Sequence, residues 1–285
     1  MWGKLKTLLE MIKFEHTVFA MPFALMGAFL AARGVPSLRV FFWVVLAMVG
    51  ARTCAMGFNR IADRRFDAAN PRTADRALPA GQVSLFESWL MVVAAGLLFF
   101  FACFMLNTLA LQMAPVALGL TLFYSLTKRF TWFCHVVLGL ALAFSPLGGW
   151  VAVSASFQGY PWMLSLGVLF WVAGFDCVYA CLDADFDRKA GLFSMPAIFG
   201  RRNGFRIAVA FHVLAFALFT LTGMQMGLNY WYYGGIVVTG FALFYQHLIV
   251  TPRDLSRIQQ SFFSMNGLIA LTLFIATCIA LATGD

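Results

Sequence analysis

The chain has 285 residues with a mean hydropathy of +0.83, and 62% of them are hydrophobic. Only 12 acidic residues stand beside 20 basic ones, which gives a formal net charge of +8. Such a composition excludes a large soluble domain and favours a protein that crosses a membrane several times.

Apolar runs of the length that a transmembrane helix needs, about 20 residues, follow one another along the whole chain. They contain Gly and Pro, which membrane helices tolerate, and they lack the alternation of β-barrel strands. We therefore predict an all-α polytopic membrane protein with nine transmembrane helices in one domain over 1–285, built from two halves of about 1–130 and 131–285. The predicted runs are 14–32, 40–58, 86–105, 108–126, 132–152, 162–182, 205–226, 231–250 and 266–283.

The basic residues indicate how these helices are oriented. If nine helices alternate, 17 of the 20 Lys and Arg residues fall on the side of the N-terminus. By the positive-inside rule this side is cytoplasmic, and the C-terminus lies outside. We expect the inner (plasma) membrane of a bacterial-type cell and no nucleic-acid partner, because the charge is mostly a topology signal. The stretch 1–13 is predicted to be an amphipathic helix on the cytoplasmic surface.

The first long connection, 59–85, begins with three oxygen-bearing side chains. Asn59, Asp63 and Asp67 are spaced four residues apart, so on a helix they point from one face. Ionisable groups next to a membrane-spanning run are costly and favour a functional interpretation.

The second long connection, 183–204, begins in the same way. Asp183 and Asp187 are four residues apart on the predicted sixth helix, with Tyr179 and Asp176 one and two turns earlier. Both connections share the spacing D-x-x-F-D, which hints at an internal duplication. Loops this long in a compact bundle are more often functional than idle.

Two acidic stripes at the same membrane face suit a diphosphate bridged by metal ions. Mg²⁺ prefers oxygen ligands and often binds through one or two carboxylates together with substrate phosphate. The alternative is that the carboxylates only neutralise the neighbouring Arg64, Arg65 and Arg188.

A departing diphosphate also calls for basic side chains that stabilise its charge. Lys128 and Arg129 follow Tyr124 by about one turn at the end of the predicted fourth helix. Arg72 and Arg76, in the first long connection, are the next candidates. The alternative for each of them is an anchor that contacts anionic lipid.

These residues resemble a known family. The pattern N-x-x-x-D-x-x-x-D with NPRTADRALPAG at 70–81, and YAxxDxxxD with DRKAGLFSMPAIFG at 187–200, look like the two signatures of the UbiA superfamily of membrane prenyltransferases. The segment 245–267 resembles the C-terminal block of its quinone-pathway members. The resemblance covers nearly the whole chain and implies a nine-helix bundle around a central cavity.

The resemblance also implies roles for individual residues. Mg²⁺ with diphosphate would be held by Asn59, Asp63, Asp67, Asp183 and Asp187. Lys128 would stabilise the diphosphate, and Asp176 would lie nearest the reacting carbon or the aromatic acceptor. The other implied substrate contacts are Arg72, Arg76, Tyr124, Arg129 and Tyr179.

The implied reaction transfers a polyprenyl group from polyprenyl diphosphate, through an allylic cation, to an aromatic acid in ubiquinone or menaquinone biosynthesis. The segment 11–24 resembles the enzymes of the futalosine route to menaquinone, so a naphthoquinone-type carboxylate stands beside 4-hydroxybenzoate as the acceptor. The competing function is an ion-coupled membrane transporter, which would place its ionisable residues near the bilayer midplane rather than at helix ends.

Overall fold

A computed structural model of the chain describes residues 7, 8, 10, 11 and 17–284. The predicted surface helix over 1–13 lies mostly outside these residues. The helices, in chain order, are α1 (Thr17–Ala32), α2 (Leu38–Ala69), α3 (Leu85–Leu106), α4 (Thr108–Thr127), α5 (Cys134–Ser154), α6 (Trp162–Ala180), α7 (Ala184–Lys189), α8 (Met195–Phe199), α9 (Arg201–Met226), α10 (Tyr230–Ile249), α11 (Ile258–Gln260) and, after a π-helical turn at Ser261–Met265, α12 (Asn266–Thr283).

Nine of the helices in the described part of the chain have 16 residues or more, one for each predicted apolar run. Seven of these are long and apolar enough to cross a membrane, while the apolar part of α1, Ala20–Ala32, is shorter. The described residues contain no β-strand. The prediction of an all-α polytopic membrane protein is therefore confirmed.

Helix α2 is much longer than the apolar run that predicted it. Ser37 caps its start by accepting a hydrogen bond from the backbone N–H of Val40. It ends where Asn70 turns to an extended conformation, as expected of a residue that precedes a proline. Its 32 residues span about 48 Å, against about 30 Å for the hydrocarbon layer. Helix α2 is therefore longer than this layer is thick, and its last turns carry Asp63 and Asp67 on the same helix as its apolar part.

We predicted the second aspartate pair on the sixth transmembrane helix, and this prediction is wrong. Helix α6 ends at Ala180, and the backbone N–H groups of Leu182 and Asp183 bond three residues back, in a tightened turn. Asp183 then occupies the N-cap position of the short helix α7. The backbone N–H of Asp187 still donates to the carbonyl of Asp183 at 2.8 Å, so the two carboxylates keep their one-turn spacing after the break.

Helix α5 packs closely between α1 and α6 because glycine lies at each contact. A Cβ on Gly149 would lie 1.8 Å from the carbonyl oxygen of Ala24, and a Cβ on Gly139 would lie 2.2 Å from that of Leu169. Small residues of this kind let membrane helices approach at backbone distance. Residues in the middle of α5, among them Ala141 and Ser145, line a cavity inside the bundle.

Candidate active site

A cavity of about 440 Å³ lies inside the bundle, with its lining drawn from α1 to α7 and from the connections after α2, α4, α6 and α7. Along α2 the lining changes from apolar, at Val44 and Ala47, to polar, from Asn59 onward. All of the site residues that we predicted from the sequence line this one cavity: Asn59, Asp63, Asp67, Arg72, Arg76, Tyr124, Lys128, Arg129, Asp176, Tyr179, Asp183 and Asp187.

The first motif is organised by Asn59. Its amide nitrogen donates to Oδ2 of Asp63 at 3.0 Å and to the hydroxyl of Ser125, on α4, at 3.4 Å. Asn59 therefore fixes the orientation of Asp63 and joins the acidic stripe of α2 to the neighbouring helix.

Each aspartate of the two motifs pairs with a cation from another part of the chain. Such pairing is expected, since burying an unpaired charge is costly. The pairs are Asp63 with Arg129 at 3.4 Å, Asp67 with Arg76 at 2.7 Å, Asp187 with Lys128 at 2.8 Å, and Asp183 with Arg72 in a bidentate contact.

The segment after α2 connects the two motifs, and Asn70 is its centre. The Asn70 side chain accepts a hydrogen bond from the backbone N–H of Arg72 at 3.0 Å and donates to Oδ1 of Asp183 at 2.9 Å. The hydroxyl of Thr73 donates to the carbonyl of Asp67 at 3.0 Å, which satisfies an acceptor in the last turn of α2. We did not single out Asn70 from the sequence, although an Asn before a Pro at a helix end is a signal for such a turn.

The second motif is held by the loop that follows it. The buried Ser194 caps α8 by accepting from the backbone N–H of Ala197, and its hydroxyl donates to Oδ2 of Asp187 at 3.0 Å. The backbone N–H of Phe193 donates to the carbonyl of Lys128 at 2.7 Å. Ser194 was also missed, although a Ser two residues before a Pro is a typical N-cap signal, with the Pro in the first turn of the helix.

Burial and ion pairing shift the pKa values of the charged groups of this site in opposite directions. Burial lowers the pKa of Lys128, but the carboxylate of Asp187 outweighs it and the pKa of Lys128 is raised. Burial raises the pKa of Asp183, but the hydrogen bonds and charge of Arg72, together with Asn70, outweigh it and lower that pKa. The pKa of Asp187 stays raised by burial in spite of Lys128 and Ser194. Additional positive charge beside Asp187 would therefore be favourable.

Three further predicted residues of the cavity wall come from α4 and α6: Tyr124, Asp176 and Tyr179. Tyr124 lines the chamber from α4, and the guanidinium of Arg72 lies 5.7 Å from the ring centroid of Tyr179, a cation–π contact. Asp176, two turns before Asp183, lies 2.6 Å from Nδ1 of His135 on α5.

One further cation lines the cavity from an earlier turn of α2. Arg52 is two helical turns before Asn59 on α2 and lines the same cavity, among the apolar residues Met48 and Ala51. Its position inside an apolar run was visible in the sequence, but we did not assign it to the site.

The carboxylate oxygens of the two aspartate motifs suit a divalent cation that also binds oxygen atoms of the substrate. Oδ2 of Asp67 is buried in the cavity wall without a hydrogen-bond partner, while Oδ1 binds Arg76. Within the described residues no three His, Cys, Asp or Glu side chains are grouped to hold an ion by themselves. Each motif thus offers two carboxylates, which is the number that Mg²⁺ commonly takes when substrate phosphate completes its shell.

The chain is similar to known prenyltransferases over most of its length. The sequence pattern of the UbiA prenyltransferase family matches residues 20–279. A 4-hydroxybenzoate octaprenyltransferase of Enterobacter sp. (strain 638) is 32% identical over 256 residues, which cover 90% of this chain and 88% of that protein.

Two solved structures share the fold. The apo structure of a UbiA homolog from Aeropyrum pernix K1 superposes with a TM-score of 0.86 at 35% identity, covering 93% of this chain and 98% of that one. A UbiA homolog from Archaeoglobus fulgidus, solved with DMAPP and Mg²⁺, has a TM-score of 0.74 at 17% identity, covering 97% and 99% of the two chains. This chain belongs to the UbiA prenyltransferase family of integral membrane enzymes.

Proposed function

We propose that this enzyme transfers a polyprenyl group from polyprenyl diphosphate to an aromatic acid, with Mg²⁺ as cofactor, in ubiquinone or menaquinone biosynthesis. The observation that carries the proposal is the meeting of both aspartate motifs and their paired cations in one cavity, whose remaining lining is mostly apolar. The polar part suits a diphosphate, and the apolar part suits a polyprenyl chain. The Enterobacter relative is named for the same kind of reaction.

The proposed metal site comprises Asn59, Asp63 and Asp67 on one side and Asp183 and Asp187 on the other. Bound there, Mg²⁺ would neutralise diphosphate charge and so make diphosphate a better leaving group. The unpartnered oxygen of Asp67 and the raised pKa of Asp187 support this assignment, because both groups gain from an added cation. The Archaeoglobus structure contains Mg²⁺ together with a prenyl diphosphate.

The cations paired with these aspartates would change partners when substrate binds. Four cations each neutralise one carboxylate in this structure: Arg72, Arg76, Lys128 and Arg129. With diphosphate in place they donate to its oxygens, and the negative charge that develops as the C–O bond breaks is stabilised by donors already in position.

The chemistry separates into a cleavage and a capture. The allylic C–O bond breaks and its electron pair leaves with diphosphate, which leaves an allylic cation. A π electron pair of the acceptor ring forms the new C–C bond, and the ring regains aromaticity by losing the proton from that carbon. The apolar wall, with Phe175 and Phe144, excludes water that would quench the cation, and its rings present electron-rich faces to it.

Two residues are proposed to serve the acceptor. Arg52 would bind its carboxylate, since a guanidinium matches a carboxylate with two parallel hydrogen bonds. Asp176 would accept the proton that the ring loses. We further propose that this site opens to the cytoplasmic face of the plasma membrane, with the N-terminus on the same side, because basic residues flank it.

One assay tests the proposal. Protein purified in detergent is incubated with radiolabelled polyprenyl diphosphates of several lengths and with 4-hydroxybenzoate or a naphthoquinone-type carboxylic acid, with Mg²⁺ or with chelator. We expect a prenylated aromatic acid only when Mg²⁺ is present. Product that persists under chelation would remove the role of the metal. Absence of product with every acceptor, together with ion-coupled solute flux in liposomes, would favour a transporter.

A further inference from the structure

His135, which the proposed chemistry does not use, lies between Asp176 and the loop that follows the second aspartate motif. It is on α5 and its side chain is 2% exposed. Its Nδ1 lies 2.6 Å from Oδ2 of Asp176, and its Nε2 accepts a hydrogen bond from the backbone N–H of Met195 at 3.2 Å. One imidazole therefore bridges Asp176 on α6 and the loop that carries Ser194.

These contacts determine which ring nitrogen carries the proton. A backbone N–H can only donate, so Nε2 must present its lone pair to Met195 and has no proton. The remaining proton of a neutral imidazole is on Nδ1, where it points at the carboxylate of Asp176. His135 is thus a neutral Nδ1–H tautomer that donates to Asp176, and this assignment follows from the geometry of its two partners.

We propose that His135 is a positioning residue for Asp176, a role that rests on the proposed function. Its Nδ1–H holds one carboxylate oxygen of Asp176 so that the carboxylate faces the acceptor in a fixed orientation. Because Met195 occupies Nε2, the imidazole cannot pass a proton onward. The proton that Asp176 takes from the ring must leave again through the cavity.

The loop that fixes His135 also fixes the second aspartate motif. Met195 follows Ser194, whose hydroxyl donates to Asp187. The two contacts are separate hydrogen bonds on adjacent residues, so removing the one from His135 leaves that of Ser194 in place. Loss of His135 should therefore damage the acceptor step and spare the binding of diphosphate.

The test uses the full-length protein in detergent with two variants. His135→Leu removes both hydrogen bonds, whereas His135→Gln keeps one donor and one acceptor on a buried side chain. We expect kcat of His135→Leu to fall at least about tenfold, as for a misplaced proton acceptor. The affinity for inorganic diphosphate with Mg²⁺, measured by calorimetry, should stay within about twofold, and His135→Gln should recover most of kcat.

Two controls separate this inference from its alternatives. His247→Gln changes a histidine outside the main cavity and should leave kcat and diphosphate affinity unchanged. Nitrogen-15 NMR of labelled histidine should show His135 neutral with its proton on Nδ1, a readout that needs no turnover.

Several results would overturn the role of His135. They are a full kcat in His135→Leu, an equal loss of diphosphate affinity in that variant, no recovery in His135→Gln, or a His135 that is cationic or protonated on Nε2. Absence of transfer by the unmodified protein with every acceptor would instead overturn the proposed function.

Discussion

Arg72 and Asp183 form a bidentate ion pair although they lie 111 positions apart in the chain. Nε of Arg72 donates to Oδ1 of Asp183 at 2.8 Å, Nη2 donates to Oδ2, and Asn70 donates to the same Oδ1 at 2.9 Å. The segment that follows the first motif therefore completes the second motif. Neither half of the chain builds this site alone.

The pair predicts a change in the pH dependence of turnover. Arg72→Ala removes the group that lowers the pKa of Asp183, so that pKa rises and the carboxylate takes up a proton at a higher pH as the solution is acidified. We expect the acid limb of the kcat/KM profile to move to higher pH in this variant. An acid limb in the same place as in the unmodified enzyme would show that Asp183 does not have to be ionised for turnover.

Loss of a carboxylate from either motif should abolish turnover. Asp67→Asn and Asp187→Asn each remove one proposed metal ligand and should retain less than about a tenth of the rate, a loss of more than ~1.4 kcal/mol of transition-state stabilisation. Initial rates at saturating Mg²⁺ measure the effect. The matched controls are Asp75→Asn and Asp185→Asn, exposed aspartates close in sequence that do not line the cavity, and they should behave like the unmodified protein. A rate above about a tenth of that of the unmodified enzyme, in Asp67→Asn or Asp187→Asn, would contradict direct binding of the metal by that residue.

Only the basic side chains that line the cavity should contribute to kcat/KM for the prenyl diphosphate. Lys128 lies 2.8 Å from the buried Asp187 and lines the cavity, whereas Arg202 is exposed on α9 and does not line it. We expect Lys128→Ala to lower kcat/KM for the prenyl diphosphate by about 100-fold, because it removes a charge-assisted contact to the leaving group and unpairs Asp187. Arg202→Ala should change the same quantity less than about twofold. An inactive Arg202→Ala enzyme would mean that the diphosphate contacts have been assigned to the wrong residues.

Arg52 should affect the acceptor and not the prenyl donor. Arg52→Ala should raise the KM for the aromatic acid by about tenfold or more, the expected cost of losing a charge-assisted hydrogen bond, with the KM for prenyl diphosphate unchanged. An acceptor analogue without a carboxylate serves as the control, because it should bind equally to both proteins. Equal losses for the acid and for this analogue would mean that Arg52 only supports the cavity wall.

Much of the fold was predictable because membrane helices are specified locally. A bilayer requires each spanning segment to be long, apolar and internally hydrogen-bonded, and these properties are readable from a single segment. The nine predicted runs therefore coincide with the nine long helices of the described chain, with most ends close to those predicted. The exceptions lie where polar residues take over. Helix α2 continues to Ala69, and α6 ends at Ala180, before Asp183.

The candidate site was predictable as a set of residues, because charged side chains beside apolar runs are conspicuous. Its supporting residues were not. Asn70, Ser194 and His135 are ordinary polar residues in the sequence, and each gains its significance from a partner between 7 and 113 positions away.

By itself the sequence determined that this chain is a polytopic helical membrane protein with two acidic motifs, since segment length, hydropathy and one-turn spacing are local properties. Only the tertiary structure decided that the motifs share one cavity, that each aspartate has its own cation, and that His135 lies within hydrogen-bond distance of Asp176. Those relations depend on how separate helices pack, and packing places side chains within hydrogen-bond distance regardless of how far apart they are in the chain.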